Sequence, residues 1–266
     1  MYAFDYHKPH SLAEAAALLE AHPEARLLAG GMTLIPTLKQ RLASPTDLVD
    51  LGGLADLVGI VVDAGEITIG AMTTHAAVAH SKEIKARLPA LAALAEGIGD
   101  PQVRHRGTIG GSISNADPAA DYPAALVGLG ATVITDRREI AADDFFTGMF
   151  ETALAPGEIV RQVRFPIPLA AGYAKFPNPA SRYAVVGAFV ARTAAGVRVA
   201  VTGAGPSVFR LPEMEAALAS SFAPQAIAGI DVPEDDLNRD PHATAAYRAH
   251  LVGVMTARAV TTALES

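Results

Sequence analysis

Two short segments of the chain combine paired glycines with hydroxyl side chains, a pattern typical of phosphate binding. The first loop is Ala29-Gly30-Gly31-Met32-Thr33, and the second loop is Thr108-Ile109-Gly110-Gly111-Ser112. Glycine leaves backbone N–H groups uncovered and permits positive φ, and a concave run of N–H groups at the start of a helix binds phosphate. One Gly-Gly turn is common without any ligand. Two such loops favour a diphosphate that is clamped from both sides.

Charged residues flank the second loop on both sides. Asp117 and Asp121 follow it, and a carboxylate at either position could accept a hydrogen bond from a ribose or ribityl hydroxyl. Arg104 and Arg106 precede it and could neutralise phosphate charge. The alternative for the aspartates is ordinary turn or cap chemistry.

Other kinds of site find little support in the residue pattern. The eight histidines show no metal-ligand spacing, and neither a nucleophile elbow nor a Walker loop is present. Asp143-Asp144 resembles a solvated pair at a helix start more than a general acid and base. We therefore expect no catalytic side chain and no metal. We also expect that valine at Gly30 or Gly110 abolishes cofactor retention by blocking the backbone approach to phosphate.

Composition limits the class of protein further. The chain has 266 residues, half of them apolar, no cysteine and a net charge of −7. The acidic balance disfavours nucleic acid as a partner, and the absence of cysteine excludes thiolate-ligated iron–sulfur clusters from this chain. No signal pattern appears, and the longest apolar run is shorter than the ~20 residues that a transmembrane helix needs. We expect a soluble, cytoplasmic protein.

The helices and strands around the two loops are predicted from the spacing of apolar residues and from the residues that typically begin or end such elements. A strand at 26–29 leads into the first loop, and a helix at 34–42 follows it. Ser11 and Glu14 form a predicted capping box for an earlier helix. Before the second loop come a strand at 66–72, a helix capped by Thr73 or Thr74 and a buried helix at 88–98. After it we expect a loop-like stretch at 112–121 and a strand at 131–135.

Prolines cluster in two short stretches in the second half of the chain, where the amino-acid composition changes. Those within 165–168 and 176–179 predict an extended linker, and we place a domain boundary there. Beyond it, 183–191 and 196–203 have the pattern of a hairpin. Asp240-Pro241 predicts the start of the last helix, with Tyr247, Leu251 and Val254 on its buried face.

The two loops, in this order, resemble those of the flavin-binding medium subunit of the molybdenum hydroxylases, the family of carbon monoxide dehydrogenase and xanthine dehydrogenase. The resemblance covers nearly the whole chain, and the two glycine motifs together are specific. The segments that carry it are 4–9, 11–15, 28–36 (LAGGMTLIP), 102–111 (QVRHRGTIGG), 115–121, 156–160 (PGEIV), 180–184 (ASRYA) and 247–259.

The resemblance implies an α+β fold with two domains. Residues 1–168 would form the two-part FAD-binding domain of the vanillyl-alcohol oxidase-like (PCMH-type) class, with a subdomain boundary near 55–60. Residues 169–266 would form the carbon monoxide dehydrogenase flavoprotein-like C-terminal domain, also α+β. The expected cofactor is FAD.

The resemblance also assigns roles at the site. It places the pyrophosphate on the two loops, the flavin nucleotide at Asp121, and Ile98 and Val160 at the flavin ring. Relatives often carry Asn where this chain has Ser112, and a lysine contacts flavin in some of them. Asn178 stands at the ungapped position and Lys175, three residues earlier, is the better chemical match; which of the two, if either, takes that role stays open. The predicted cofactor-binding residues are Leu28, Ala29, Gly30, Gly31, Met32, Thr33, Leu34, Ile98, Thr108, Ile109, Gly110, Gly111, Ser112, Asp117, Asp121, Val160 and Lys175.

The implied function is that of an electron-transfer subunit of an oxidoreductase. Electrons would pass from iron–sulfur clusters on a partner, through FAD, to an external acceptor such as NAD, a quinone or oxygen. The implied partners are a molybdopterin-binding large subunit and a 2Fe–2S small subunit, assembled as a dimer of heterotrimers. Two alternatives stay open: a free-standing FAD-dependent oxidoreductase, and a non-enzymatic nucleotide-binding module.

Overall fold

Three main β-sheets follow one another along the chain, which a computed structural model describes over residues 1–265. The first is a small parallel sheet of three strands in the order β1-β3-β2. Its helix α1 begins at Ser11, whose hydroxyl accepts from the N–H of Glu14 at 3.1 Å. The elements of this part are β1 (Asp5–His7), α1 (Leu12–Ala21), β2 (Arg26–Leu28), α2 (Leu34–Lys39) and β3 (Asp47–Asp50).

The second sheet is antiparallel, with five strands in the order β4-β5-β10-β6-β7. Its buried face carries Ile67, Ile69 and Val163. Two further short strands, β8 and β9, pair with each other. The elements are β4 (Ile60–Val62), β5 (Glu66–Gly70), α3 (His75–His80), α4 (Lys82–Arg87), α5 (Pro89–Glu96), α6 (Pro101–Arg106), α7 (Ile109–Asn115), α8 (Tyr122–Leu129), β6 (Thr132–Thr135), β7 (Glu139–Ala141), α9 (Ala142–Phe145), β8 (Phe146–Gly148), β9 (Glu151–Thr152) and β10 (Val160–Pro166).

The third sheet is an antiparallel meander of four strands in sequence order, and it contains the predicted hairpin. The long last helix packs directly on it. A Cβ at Gly172 would lie 2.0 Å from the carbonyl oxygen of Ala259, so this strand tolerates no side chain at that position. The elements are β11 (Ala170–Pro177), β12 (Ala184–Thr193), β13 (Gly196–Thr202), β14 (Phe209–Arg210), α10 (Pro212–Ser220) and α11 (Ala245–Glu265).

Helix α8 joins the second and third sheets into one core. Every residue from Tyr122 to Leu129 is buried, on all sides of the helix. Phe189 of β12 belongs to the same hydrophobic cluster as Val163 of β10. A Cβ at Gly128 would lie 2.9 Å from Cδ1 of Phe189, so the helix and the strand are in close contact.

Four local predictions differ from the structure. Tyr247, expected on the buried face of the last helix, is 42% exposed, and Leu251 is the predicted residue that is buried there. The proline-rich stretch is no linker, because Pro166 and Pro177 end the paired strands β10 and β11, where a missing N–H costs least. The stretch after the second loop is helical as far as Asn115. The last helix begins at Ala245 and not at 240, because the carboxylate of Asp240 caps a separate turn.

The predicted α+β class describes this arrangement well. None of the helices in residues 1–265 combines the length and the apolar character that crossing a membrane requires.

Candidate functional site

A cleft of about 810 Å³ lies between the parallel sheet and the antiparallel sheet. It is lined by both glycine loops and by β10. All of the predicted cofactor-binding residues line it except Leu28, Ile109 and Lys175. The predicted residues in the lining are Ala29, Gly30, Gly31, Met32, Thr33, Leu34, Ile98, Thr108, Gly110, Gly111, Ser112, Asp117, Asp121 and Val160.

The first loop touches the chain just before the second loop. A Cβ built on Gly30 would lie 1.9 Å from the carbonyl oxygen of Arg106, so only glycine permits this backbone contact. A Cβ at Gly111 would lie 3.5 Å from that of Ala29. The two segments therefore converge on one site, as a ligand clamped from both sides requires.

The first loop has backbone hydrogen-bond donors that are free to bind a ligand. Within residues 1–265, the backbone N–H groups of Gly31, Met32 and Thr33 donate to no acceptor. The hydroxyl of Thr33 makes no capping hydrogen bond, although this residue precedes α2. Gly31 adopts a φ of +74°, a left-handed conformation of the kind in which successive N–H groups can line a concave surface. This concave run can hold an anion.

The second loop differs from its prediction, because its backbone donors are already used. The hydroxyl of Thr108 caps α7, and Gly110 packs against Ala71, from whose Cβ an added Cβ would lie only 2.6 Å away. The acceptors are Thr73 O for Ile109 N–H (3.1 Å), Ala71 O for Gly110 N–H (2.8 Å), Thr108 Oγ1 for Gly111 N–H (3.1 Å) and Thr108 O for Ser112 N–H (3.0 Å). What this loop offers the cleft is side chains, including the hydroxyl of Ser112.

These contacts also change the effect expected from a substitution at Gly30 or Gly110. Valine at Gly30 or Gly110 would collide with protein backbone, whatever ligand is bound. Loss of cofactor in such variants would therefore report displaced loops and not a blocked approach to phosphate.

Asp121 forms a buried charged cluster with two residues of β11. Its carboxylate accepts from the hydroxyl of Tyr173 at 2.5 Å and from Nζ of Lys175 at 2.9 Å. Burial raises the pKa of the Asp121 carboxyl, and the Lys175 ammonium opposes that shift. Asp121 lines the cleft, whereas Lys175 lies behind it and also donates to the carbonyl of Gly97 at 2.9 Å.

Asn178, the other candidate for the lysine position, has a local role. Its carboxamide oxygen accepts from the N–H groups of Ala180 and Ser181, at 2.9 and 3.2 Å, and so caps a turn. Asn178 is absent from the lining of the cleft.

The charged residues beside the second loop fall into two groups. Asp117 faces the cleft, and burial raises the pKa of its carboxyl. Arg104 instead donates to the carbonyl of Ile98 at 3.1 Å and pairs with Glu96 at 3.3 Å. Arg106 is exposed and contributes its carbonyl oxygen to the contact with Gly30. Two other arginines, Arg26 and Arg182, do line the cleft. Arg182 lies in the 180–184 segment that carries the family resemblance, but the sequence assigned no role to either arginine.

His75 is a lining residue that sequence reasoning missed. It is 5% exposed, its ring centroid lies 5.3 Å from that of Tyr122, and its Nδ1 is buried without a partner in the described chain. Burial and the charge of Arg104 lower its pKa to about 4, so the imidazole is neutral near pH 7. Its backbone N–H donates to the carbonyl of Gly107 at 3.0 Å and so helps to position the second loop.

Glu158 holds the segment that leads into β10. Its carboxylate accepts from Nε of Arg138 at 3.0 Å, the Thr135 hydroxyl at 2.8 Å and the N–H of Ala155 at 2.8 Å. The Arg138 guanidinium is the main cause that lowers the pKa of this carboxyl to about 2. Val160, two residues later, is thereby held against the cleft.

Comparison with protein families gives a match over most of the chain. Residues 2–168 match the family model described as the FAD binding domain in molybdopterin dehydrogenase. The carbon monoxide dehydrogenase medium chain of Afipia carboxidovorans is 39% identical, and the alignment covers 97% of this chain and 96% of that protein. The nicotine 6-hydroxylase medium subunit of Paenarthrobacter nicotinovorans is 34% identical over 97% of this chain and 96% of its own length.

Solved structures show the same similarity. A chain of carbon monoxide dehydrogenase from Hydrogenophaga pseudoflava superposes with a TM-score of 0.90 at 35% identity, covering 99% of this chain and 98% of that one. The similarity therefore extends through the third sheet as well as the first two.

Proposed function

The chain belongs to the family of FAD-binding subunits of multi-subunit molybdenum hydroxylases, and from that membership we propose that it binds FAD in the cleft between its two glycine loops and passes electrons through it. The family resemblance, the fold class and the FAD-binding role expected from the sequence are confirmed by the comparisons. The individual binding residues and the path of the electrons are part of the proposal.

The observation that carries the proposed site is the set of free donors on the first loop. The N–H groups of Gly31, Met32 and Thr33, with the Thr33 hydroxyl, suit the oxygens of a diphosphate. A cleft of about 810 Å³ also has the size of a cofactor pocket. The residues present therefore fit FAD, with its diphosphate against the first loop.

Other parts of the cleft suit the flavin and the sugar. Ile98 and Val160 are apolar lining residues that would contact the ring, and Ser112 and Asp117 would bind hydroxyl or phosphate oxygens. Asp121 would accept from the flavin nucleotide, with Lys175 keeping its carboxylate charged from behind. Lys175 thus acts on the cofactor through Asp121.

The chemistry that FAD supplies when bound is the exchange between one-electron and two-electron transfer. It lets this subunit accept electrons from iron–sulfur clusters on a partner and deliver them to an external acceptor. The absence of cysteine in the chain agrees with clusters that lie elsewhere. We propose a molybdopterin-binding large subunit and a 2Fe–2S small subunit as partners, in a dimer of heterotrimers.

The experiment is purification of the chain with and without its co-expressed partner subunits. We expect about one FAD per chain by absorbance, and flavin reduction by substrate only when the partners are present. Turnover of an organic substrate by the chain alone would favour a free-standing oxidoreductase. Binding of a different nucleotide with rejection of FAD would contradict the proposal.

A further inference from the structure

Three side chains that are distant in sequence converge at one edge of the parallel sheet. His7 ends β1, His22 is the residue after α1, and Asp47 begins β3. Nε2 of His7 lies 2.7 Å from Oδ1 of Asp47, and Nδ1 of His22 lies 3.3 Å from Oδ2 of the same carboxylate. Their ligand atoms all lie within 4.8 Å of one another.

We propose that His7, His22 and Asp47 form a binding site for a divalent transition metal ion of the Zn²⁺ class. Two imidazole nitrogens and one carboxylate oxygen are the ligand set that such ions prefer, with a water in the remaining position. Zn²⁺ bonds of about 2.0–2.2 Å in tetrahedral geometry put ligand atoms roughly 3.4 Å apart. The contact between His7 Nε2 and Asp47 Oδ1, at 2.7 Å, would lengthen by less than an ångström to reach that spacing, and the contact between His22 Nδ1 and Asp47 Oδ2, at 3.3 Å, is already close to it.

The backbone of the site is already in place. The N–H of His22 donates to Leu18 O at 2.9 Å, and its carbonyl accepts from Ala25 N–H at 2.9 Å, so this residue is fixed at the end of α1. Strands β1 and β3 are paired in register, with His7 opposite Val49. The proposed ion would therefore be bound by rotation of side chains on a backbone that is already positioned.

Charge and exposure also suit a cation. The side chain of Asp47 is 5% exposed, whereas those of His7 and His22 are 27% and 40% exposed, so an ion can enter from solvent. One negative charge and two neutral imidazoles would face the ion.

The ion would connect β1, the end of α1 and the start of β3. Strand β3 also pairs with β2, the strand that leads into the first loop, so the site lies in the sheet that positions that loop. Its role would be structural. The sequence led us to expect no metal, and residues 7, 22 and 47 have no recognisable ligand spacing, so the proposed site rests on the folded structure alone.

The test is titration of the full-length chain, freed of metal, with Zn²⁺ by calorimetry and with Co²⁺ by visible absorption. We expect saturable binding of one ion per chain and the d–d bands of four-coordinate Co²⁺. Saturating Zn²⁺, at about 100 times Kd, would raise Tm by roughly 5 °C.

Variants identify the ligands. His22→Gln and Asp47→Asn should each weaken Zn²⁺ binding at least tenfold, whereas His250→Gln, at an exposed histidine of α11, should leave it unchanged. Because His22 is partly exposed, its variant should stay folded, and circular dichroism checks this. Absence of saturable binding by the wild-type chain, or equal affinity in His22→Gln, would overturn the proposal.

Discussion

Thr33 is the residue whose side chain offers the simplest test of the first loop. It lines the cleft, its hydroxyl makes no capping bond to α2, and its N–H has no acceptor in the described part of the chain. A hydroxyl that is free before ligand binding loses no protein hydrogen bond when it meets a phosphate. Its removal should therefore affect affinity more than stability.

We predict that Thr33→Val weakens FAD binding about tenfold, since a lost hydrogen bond to a charged group costs about 1.5 kcal/mol. The measurement is the FAD dissociation constant, obtained by titrating the apoprotein with FAD and following flavin fluorescence. Thr262→Val is a matched control on α11, where the hydroxyl donates to a helix carbonyl. Equal dissociation constants for Thr33→Val and wild type would place the diphosphate elsewhere.

His75, a residue that lines the cleft, makes the stability of the folded protein depend on pH. Its folded pKa is about 4, against an ordinary value of 6.5, because burial disfavours the charged ring. Between about pH 4 and pH 6.5, the His75 imidazole is therefore protonated in the unfolded chain but neutral in the folded chain. The stability that results is complete above about pH 6.5 and is lost as the pH falls toward 4.

We predict that His75→Gln reduces the loss of stability between pH 7 and pH 5 by about 2 kcal/mol. Urea unfolding at the two pH values measures it, and the difference from wild type removes the contribution of the other titrating groups. His80→Gln, at a histidine whose side chain is 61% exposed, is the control. Parallel pH profiles for wild type and His75→Gln would show that His75 is not the group responsible.

The two loops are elements whose positions depend on backbone contact with other segments. Gly30 lies against the carbonyl of Arg106, and Gly110 lies against Ala71. The chain order and the glycines predicted that both loops serve one site. They did not predict that the second loop has its N–H groups satisfied, because the acceptors at Ala71 and Thr73 come from a strand end that precedes it by more than thirty residues.

We predict that Gly30→Ala forces the loops apart and lowers the fraction of purified chain that retains FAD, with a loss of stability of about 2 kcal/mol or more. Flavin content by absorbance and Tm measure the two effects. The contrasting substitution is Gly253→Ala in α11, where an added Cβ meets nothing within 4 Å. That variant should gain about 0.5–1 kcal/mol. Full flavin content in Gly30→Ala would contradict the packing argument.

Other elements show where sequence reasoning reaches its limit. The capping box at Ser11 and the hairpin of β12 and β13 depend on neighbouring residues, and both were predicted. The prolines at 166 and 177 suggested a linker, because a strand end and a linker share the same local signal. Only tertiary pairing distinguishes the two. His75 and Glu158 were missed for the same reason, since their partners are remote in sequence.

At the scale of the whole molecule, α8 makes the second and third sheets mutually dependent. It is buried on every side, and Phe189 of the third sheet packs on it. The predicted boundary near residue 168 therefore divides a shared hydrophobic cluster. The boundary stays a prediction about domains in sequence.

We predict that Phe189→Ala destabilises the protein by about 3–5 kcal/mol and that both regions unfold together. Denaturant unfolding followed by flavin fluorescence and by far-UV circular dichroism measures this. Coincident transitions indicate one cooperative unit. Separate transitions, in which residues 1–168 still hold flavin after residues 169–266 have unfolded, would show that the two regions unfold independently despite their common hydrophobic cluster.

Tyr173 and Lys175 are two residues apart on β11, and both reach the carboxylate of Asp121. Side chains alternate between the faces of a strand, so a slip of one residue in β11 would turn both groups away together. The anion would then lie buried without a counter-charge. The polar cluster beside the proposed cofactor cleft thus also favours the native register of β11 over one that is shifted by a single residue, whether or not flavin is bound.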